Sequence, residues 1–279
     1  MTSPKRPRPR HALARAGLAV VLAAACGWGA HAQPRSASVS YDVYTGGLQV
    51  LELEASLSVD ASSYQLSASM RSRGFLAMLF SWDQVNRVSG VIAASSPAPR
   101  RFEQRGNFRG KQRSVEIDYA DGRIARLDVA PTGDEDGDRE PVAMADVAGA
   151  LDPLTGIMAL LLRLDAGGGC DGRYAGFDGR RSFSVELIDR GLDAVELPGA
   201  RGGPARARVC DFVYRQTGGY ARRVYWGPDR QREPREGRLW IGDPRQLAPG
   251  LALERLPLRM EFENSFGRML AHLRPAAPR

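Results

Sequence analysis

The chain has 279 residues, with 39 lysines and arginines against 32 aspartates and glutamates, a formal charge of +7, three cysteines and three histidines. Two of the histidines, His11 and His31, lie in the first 32 residues, and the third, His272, lies seven residues from the C-terminus. A Ser-His-Asp or Cys-His arrangement, or a zinc site with several histidines, cannot be assembled from the one remaining imidazole, which we expect to be a solvated surface side chain.

The first 32 residues have the three parts of a secretory signal peptide. Five basic residues between Lys5 and Arg15 precede an apolar run over Ala16–Cys26, and Ala30-His31-Ala32 forms a small-x-small cleavage site. The apolar run is about half of the 20 residues that a membrane span needs. We therefore predict a signal peptide over residues 1–32 and a periplasmic location.

A lipoprotein is the alternative product of export. Residues 22–26, Leu-Ala-Ala-Ala-Cys, resemble a lipobox, although Ala23 stands where leucine is usual. In that case the mature chain would be anchored through Cys26.

Removal of the leader changes the charge of the protein. All five charged residues of the leader are basic, so 34 basic residues remain against 32 acidic ones, and the net charge falls to about +2. We therefore expect no nucleic-acid partner and no transmembrane span in the mature chain. Lys111 is then the last lysine, and the other cations are arginines, which pair well with carboxylates and phosphates.

Alternation of apolar and polar residues predicts an antiparallel meander in the N-terminal half, with one buried and one wet face. Gly46-Gly47 and Asp121-Gly122 accept positive φ and are typical of the tight turns between such strands. The alternating segments are Val39–Thr45, Leu51–Val59, Tyr64–Met70, Val115–Tyr119 and Ala125–Val129.

One segment has helical spacing instead. Asp152 is typical of an N-cap and Pro153 of the first helical position. We predict a single helix near residues 153–164 that packs its apolar stripe against the sheet. The stripe consists of Leu154, Ile157, Met158, Leu161 and Leu162.

Strand patterns return after Cys170, and no long linker precedes them. We predict a mainly β fold, with one curved antiparallel sheet, an open clam or barrel-like, on which the single helix packs. Residues 33–279 are expected to form a single domain. The later strand segments are Phe183–Leu187, Val209–Tyr214, Val224–Trp226, Leu239–Ile241 and Leu258–Phe262.

Two cysteines remain after the leader, Cys170 and Cys210. An exported chain meets an oxidising compartment, where an isolated pair is most simply a disulfide. Closing the loop between them would stabilise the fold by about 4 kcal/mol in the chain-entropy model. A redox-active pair would prefer Cys-x-x-Cys spacing, which this sequence lacks.

Residues 74–82 form the most apolar local run of the chain, which is too continuous for a half-exposed strand. Three interpretations stay open: a core element, a flap over an apolar cavity, and a patch that docks a partner. The residues that would contact a ligand or partner are Phe75, Leu76, Leu79, Phe80 and Trp82.

Residues 177–180, Phe-Asp-Gly-Arg, lie between two strand-like segments and are typical of a hairpin turn. A weaker hypothesis makes Asp178 and Glu186 a catalytic pair in glycan hydrolysis, which requires both carboxyl groups to face one cleft about 5 to 9.5 Å apart. We expect no metal site and no cofactor, because residues 134–138 lack the full pattern of a calcium loop and residues 106–111 lack that of a phosphate loop.

Several motifs follow one another in a fixed order over nearly the whole mature chain. They are Tyr41-Asp42-Val43-Tyr44, Gly46-Gly47, a strand centred on Tyr64, Leu151–Leu154, Cys170, Phe177–Arg181, Cys210, Leu256–Arg259 and Phe266-Gly267. Together they resemble the exported bacterial proteins of domain of unknown function 3108. The resemblance implies a periplasmic, mainly β protein and supplies no catalytic residue.

These observations favour a non-enzymatic protein that binds an apolar or amphiphilic envelope component, or a partner protein. Arginines would bind the anionic head groups of such a ligand. The alternatives are a carboxylate-dependent hydrolase of envelope glycan and a structural or assembly factor of the envelope.

The intact mass of protein recovered from a bacterial periplasm tests the predicted leader. We expect a chain that begins at Gln33, because cleavage follows the small-x-small site. A lipoprotein would begin at Cys26 with added acyl chains, and Cys26→Ser would abolish their addition. A mass that retains residues 1–32 contradicts both routes.

Overall fold

The computed structural model describes most of the chain after the leader. The predicted signal peptide with Cys26, Phe80, the acidic segment 134–138, the predicted strand Val224–Trp226 and Phe266 lie outside the described residues. The residues that the structure describes are 34–79, 81–108, 110–132, 139–200, 203–222, 228–248, 251–264 and 267–275.

The predicted mainly β fold is confirmed: within the described residues, thirteen antiparallel strands form one sheet. Strands β1 to β7 and strands β8 to β13 are two meanders, and β1 pairs with β13 to join them. The edges are β7 and β8, so pairing between strands does not close the sheet. The strands are β1 Arg35–Thr45, β2 Leu48–Val59, β3 Ser63–Ser72, β4 Trp82–Ala93, β5 Ser96–Phe108, β6 Lys111–Ala120, β7 Arg123–Ala130, β8 Gly172–Phe177, β9 Ser182–Val195, β10 Ala205–Gln216, β11 Arg235–Gly242, β12 Leu256–Asn264 and β13 Gly267–Leu273.

Three α-helices lie between the strands of the described chain: α1 at Gly74–Leu79, α2 at Met144–Val147 and α3 at Pro153–Asp165. Helix α3 confirms the predicted helix, whereas α1 and α2 were not predicted. Short 3₁₀ helices cover Pro228–Gln231 and Pro244–Gln246. Of the predicted apolar stripe of α3, Leu154, Met158 and Leu161 are buried, Leu162 is half-buried against the core, and Ile157 is exposed.

A connecting segment bridges the gap between the two edge strands. On one side, the N–H of Ile124 in β7 donates to the Ala148 carbonyl at 2.9 Å. On the other side, the N–H of Leu151 donates to the Ala175 carbonyl of β8, and the N–H of Phe177 donates back to the Leu151 carbonyl. We call residues 148–151, with these partners, the seam. It supplies hydrogen-bond partners to edges that would otherwise be open.

The core lies around α3, which begins one residue after the seam. Apolar side chains from both meanders meet there in one cluster. Sheet and helix therefore bury each other's apolar side chains. Members of this cluster include Leu57, Tyr64, Phe102, Ile117, Leu161, Leu187 and Ile241.

The start of α3 carries a buried chain of hydrogen bonds. The Asp152 carboxylate accepts from the N–H groups of Leu154 at 3.0 Å and Thr155 at 2.9 Å, which confirms the predicted N-cap. The Thr155 hydroxyl donates to the second carboxylate oxygen at 2.6 Å. That hydroxyl has one proton, so it accepts from the Tyr64 hydroxyl of β3, 2.9 Å away. The helix is thereby tied to the wall of the sheet.

The predicted disulfide is present. Cys170, which follows α3, is bonded to Cys210 of β10, and the Cα atoms lie 5.8 Å apart. Both cysteines are fully buried. The bond joins the end of the helical connection to the second meander.

His272 differs from the expectation of a solvated side chain. It lies on β13, half-buried, with its ring edge-on to Tyr44 at a centroid distance of 6.4 Å. Burial lowers the pKa of its imidazole, and the charge of Arg259 lowers it further.

Burial raises the pKa of the Asp152 carboxyl to about 6, from an ordinary value of 3.8. The folded protein therefore binds this proton more tightly than the unfolded chain does. The resulting stabilisation is complete below about pH 4 and is lost as the pH rises through 6. A shift of this size corresponds to roughly 3 kcal/mol of unfolding free energy.

Asp152→Asn separates this ionisation from the cap. Asparagine caps helices as well as aspartate does but carries no charge. Between pH 4.5 and 7.5, we expect the unfolding free energy of the native protein, relative to Asp152→Asn, to fall by about 2 kcal/mol in urea titrations. Asp128→Asn, at an exposed strand carboxylate, should keep the native profile. Parallel profiles for Asp152→Asn and the native protein contradict this assignment.

Candidate functional site

Several connections lie at the same end of the sheet, because successive strands are antiparallel. They include the β1–β2 turn at Gly46–Gly47, the β3–β4 connection with α1, the β5–β6 turn at Gly110 and the β8–β9 turn at 178–181. We call this end of the sheet the α1 end. The turns at 94–95 and 121–122 lie at the opposite end.

Helix α1 presents apolar side chains to solvent. Phe75 is 62% exposed and Met78 is 84% exposed. The backbone just before the helix is fixed to β2, since the N–H of Arg73 donates to the Val50 carbonyl at 2.8 Å. The core-element interpretation of residues 74–82 is therefore wrong for Phe75 and Met78.

The other predicted contact residues have different positions. Trp82 begins β4, and its half-buried ring packs on a small apolar cluster of Val43, Val50, Leu51 and Ala271. Its backbone N–H donates to the Ser72 hydroxyl at 3.1 Å, which fixes the exit from α1. Leu76 and Leu79 belong to α1, but their side chains are outside what the structure describes, as is the whole of Phe80.

Two further exposed apolar residues lie at the α1 end, and the sequence analysis missed both. Leu48, 61% exposed, begins β2, and Phe108, 39% exposed, ends β5 in register with Trp82. Each is a single apolar residue, so neither forms a run that could be recognised. For Leu48, the available signal was its position after the predicted turn at Gly46-Gly47. We call Leu48, Phe75, Met78 and Phe108 the apolar rim.

A basic depression of about 550 Å³ lies at the same end, where β5, β6 and β7 meet. From the β8–β9 turn, the Arg180 guanidinium reaches across and donates to the carbonyls of Ala130 at 2.8 Å and Pro131 at 3.1 Å. We call Arg105, Lys111, Arg113 and Arg180 the basic corner. The depression is lined by Arg105, Lys111, Gln112, Arg113, Ser114, Ala130 and Pro131.

Arg139 has more positive than negative charge close to it, and two of the nearby cations, Arg113 and Arg180, belong to the basic corner. Burial lowers the pKa of its guanidinium, and nearby cations lower it further, against the opposing effect of the Asp178 carboxylate. Positive charge therefore outweighs negative charge among the groups that act on Arg139. These cations are Arg181, Arg113 and Arg180.

The candidate catalytic carboxylates have separate partners. Buried Asp178 accepts from the backbone N–H groups of Arg180 at 3.0 Å and Arg181 at 2.7 Å, and from the Arg181 side chain at 2.7 Å. Burial alone would raise the pKa of the Asp178 carboxyl, but the charge of Arg181 and these hydrogen bonds lower it overall. Glu186 lies exposed on β9, 3.6 Å from the Arg215 guanidinium. The contacts place Asp178 in the turn and Glu186 in a surface ion pair.

A second depression, of about 510 Å³, crosses β1 to β5. Its exposed lining is rich in serine hydroxyls from alternate strand positions, together with Arg87 and Arg101. Arg101 already pairs with Glu103, Glu116 and Asp118. This depression therefore offers hydroxyl groups and largely neutralised charge, and no exposed apolar side chain of the rim adjoins it.

The family profile described as a protein of unknown function, DUF3108, matches residues 40–274. The chain belongs to the DUF3108 family. A crystal structure of a beta-barrel-like protein of domain of unknown function DUF1849 from Brucella abortus is similar to this DUF3108 chain, with a TM-score of 0.48 and 11% identity, over 87% of this chain and 96% of that one. The chain matches no curated protein. No helix in its described part is long and apolar enough to cross a bilayer.

Asp178→Asn and Glu186→Gln distinguish a structural carboxylate from a surface one. Loss of the Asp178 charge leaves Arg181 without its counter-ion, so we expect the unfolding free energy to fall by about 1–3 kcal/mol. Glu186→Gln should change it by less than about 0.5 kcal/mol. Urea unfolding measures both values, and equal losses would contradict the turn assignment.

Proposed function

We propose that this protein is a non-enzymatic, periplasmic binding protein whose α1 end contacts an apolar or amphiphilic component of the envelope. The observation that carries the proposal is the exposure of Phe75 and Met78 on a helix with a fixed base. Clustered exposure of large apolar side chains is unfavourable in water and is typical of contact surfaces.

The fixed base matters because six residues are too few for a helix that is stable by itself. The hydrogen bonds of Arg73 to β2 and of Trp82 to Ser72 hold both ends of the α1 connection on the sheet. The backbone that carries the exposed side chains is therefore anchored to the sheet on both sides of α1. A pre-arranged surface loses less conformational entropy on binding than a disordered one.

The basic corner supplies the polar half of an amphiphile site. Guanidinium and ammonium groups bind carboxylate and phosphate through charge-assisted hydrogen bonds. Many arginines elsewhere pair with carboxylates across strands; Arg238, for example, binds Asp211, and Arg274 binds Asp42. Arg105 of the basic corner also pairs with a carboxylate, that of Glu116, at 3.1 Å. What favours an anionic head group is that the cations of the basic corner lie together around one depression at the α1 end.

The contacts give less support to glycan hydrolysis. A general acid needs a raised pKa, and the pKa of Asp178 is lowered. Hydrolysis by Asp178 and Glu186 stays a prediction, which requires that Asp178→Asn abolish turnover of envelope glycan. An assembly factor likewise stays a prediction, which requires recovery of one fixed protein partner from envelope extract.

Calorimetric titration with dodecyl maltoside below its micelle concentration tests the apolar half of the proposal. We expect the native protein to bind, and Phe75→Ser with Met78→Ser to weaken binding at least about fivefold, because apolar contact area is lost. Leu192→Ser is the matched control, since Leu192 is 53% exposed on β9 away from the α1 end. No binding by the native protein, or an equal loss in the control, contradicts the proposal.

A further inference from the structure

The apolar rim and the basic corner adjoin each other at the α1 end. Phe108 of the rim is paired in register with Trp82 on one side and with Lys111 of the basic corner on the other. Paired strands lie about 4.8 Å apart. Apolar and cationic side chains therefore alternate over a short distance on one end of the sheet, where a single surface can contact both.

The apolar side chains of the rim project outward and do not line a cavity. Met78 is 84% exposed and Phe75 is 62% exposed, which suits an extended apolar phase better than an enclosing pocket. The depression at the basic corner is lined by three cations and two small residues beside Gln112 and Pro131. Ala130 and Pro131 are the apolar residues of this lining, and among the described residues no large aliphatic or aromatic side chain lines it to enclose an acyl chain.

Projecting aromatic and methionine side chains beside arginine and lysine are the two elements of interfacial membrane binding. Apolar side chains enter the boundary between head groups and acyl chains, and cations are attracted to anionic head groups. The arrangement at the α1 end has both elements, and complementary charge favours an anionic surface over a zwitterionic one.

We infer that the α1 end docks on an anionic lipid bilayer, with Phe75 and Met78 inserted and the basic corner against the head groups. This inference rests on the proposed function, since it uses the same contact surface. It goes further because it names a lipid surface, and neither a single dissolved amphiphile nor a protein, as the occupant.

Vesicle co-sedimentation tests the inference with protein purified from the periplasm. The vesicles contain equal parts of phosphatidylglycerol and phosphatidylcholine, or phosphatidylcholine alone. We expect the native protein to partition at least about tenfold more strongly onto the anionic vesicles, and 0.5 M NaCl to remove most of that difference, because salt screens attraction between charges.

Variants separate the two halves of the surface. Lys111→Glu and Arg105→Glu should each weaken binding to anionic vesicles at least about fivefold. Phe75→Ser with Met78→Ser should weaken binding to both vesicle types. The matched controls are Arg123→Glu, beside the turn at the opposite end, and Leu192→Ser, and both should bind as the native protein does. Urea unfolding midpoints confirm that each variant is folded.

The outcomes distinguish this inference from the proposed function. Binding of dodecyl maltoside without binding of vesicles overturns the bilayer inference and leaves the proposed function standing. If the protein binds neither dodecyl maltoside nor vesicles, the bilayer inference and the proposed function are both overturned. Equal binding to the two vesicle types would show that the basic corner has no role. Equal losses of binding in Arg123→Glu and Lys111→Glu would show that the overall charge of the protein attracts it to the vesicles. Either result overturns the docking geometry.

Discussion

The hydrogen-bonded carboxylate of Asp152 is the interaction on which the rest of the structure depends. A buried carboxylate is costly unless it is well bonded, and here two backbone N–H groups and the Thr155 hydroxyl bind it. Those bonds start α3 directly after the seam, and Tyr64 ties that start to β3. Asp152 therefore links the seam, which bridges the two edge strands, to α3, which packs on the sheet.

The distribution of apolar residues follows from that coupling. With α3 in place, side chains from both meanders and the helix form one buried cluster, and the disulfide between two fully buried cysteines links the segment after the helix to β10. On helix α1, by contrast, the side chains of Phe75 and Met78 are exposed to solvent. The core packs without Phe75 and Met78, so these exposed apolar side chains are available as a contact surface.

Sequence patterns predicted those elements whose signal is local. Asp152-Pro153 is a complete helix-start signal, and the alternation in β2 and β3 is nearly strict. Strand β5 was missed because Pro97 and Pro99 interrupt it and Arg100-Arg101 breaks its alternation; the register shift opposite Ser89 and Gly90 accommodates this irregularity.

The candidate site depends on contacts that no local pattern encodes. The apolar run at residues 74–82 was visible, but whether its side chains face the core or solvent is decided by the sheet around it. The basic corner combines Arg113 of β6 with Arg180 of a turn 67 positions later, and the hydrogen bonds of Arg180 to Ala130 and Pro131, at the end of β7, bring that turn to this corner. For that reason, the sequence indicated the apolar run that contains α1 but not the basic corner.

The pairing of β1 with β13 has a consequence for the order of folding. Asp42 and Arg274, which bind each other across this joint, are 232 positions apart. The hairpins of β2 to β7 and of β8 to β12 pair strands that are close in sequence, so they can form during synthesis. The pairing of β1 with β13 can form only after the last strand has been made. A chain that stops before Leu256 lacks both β12 and β13, and it therefore loses the strand pairing that joins the two meanders into one sheet.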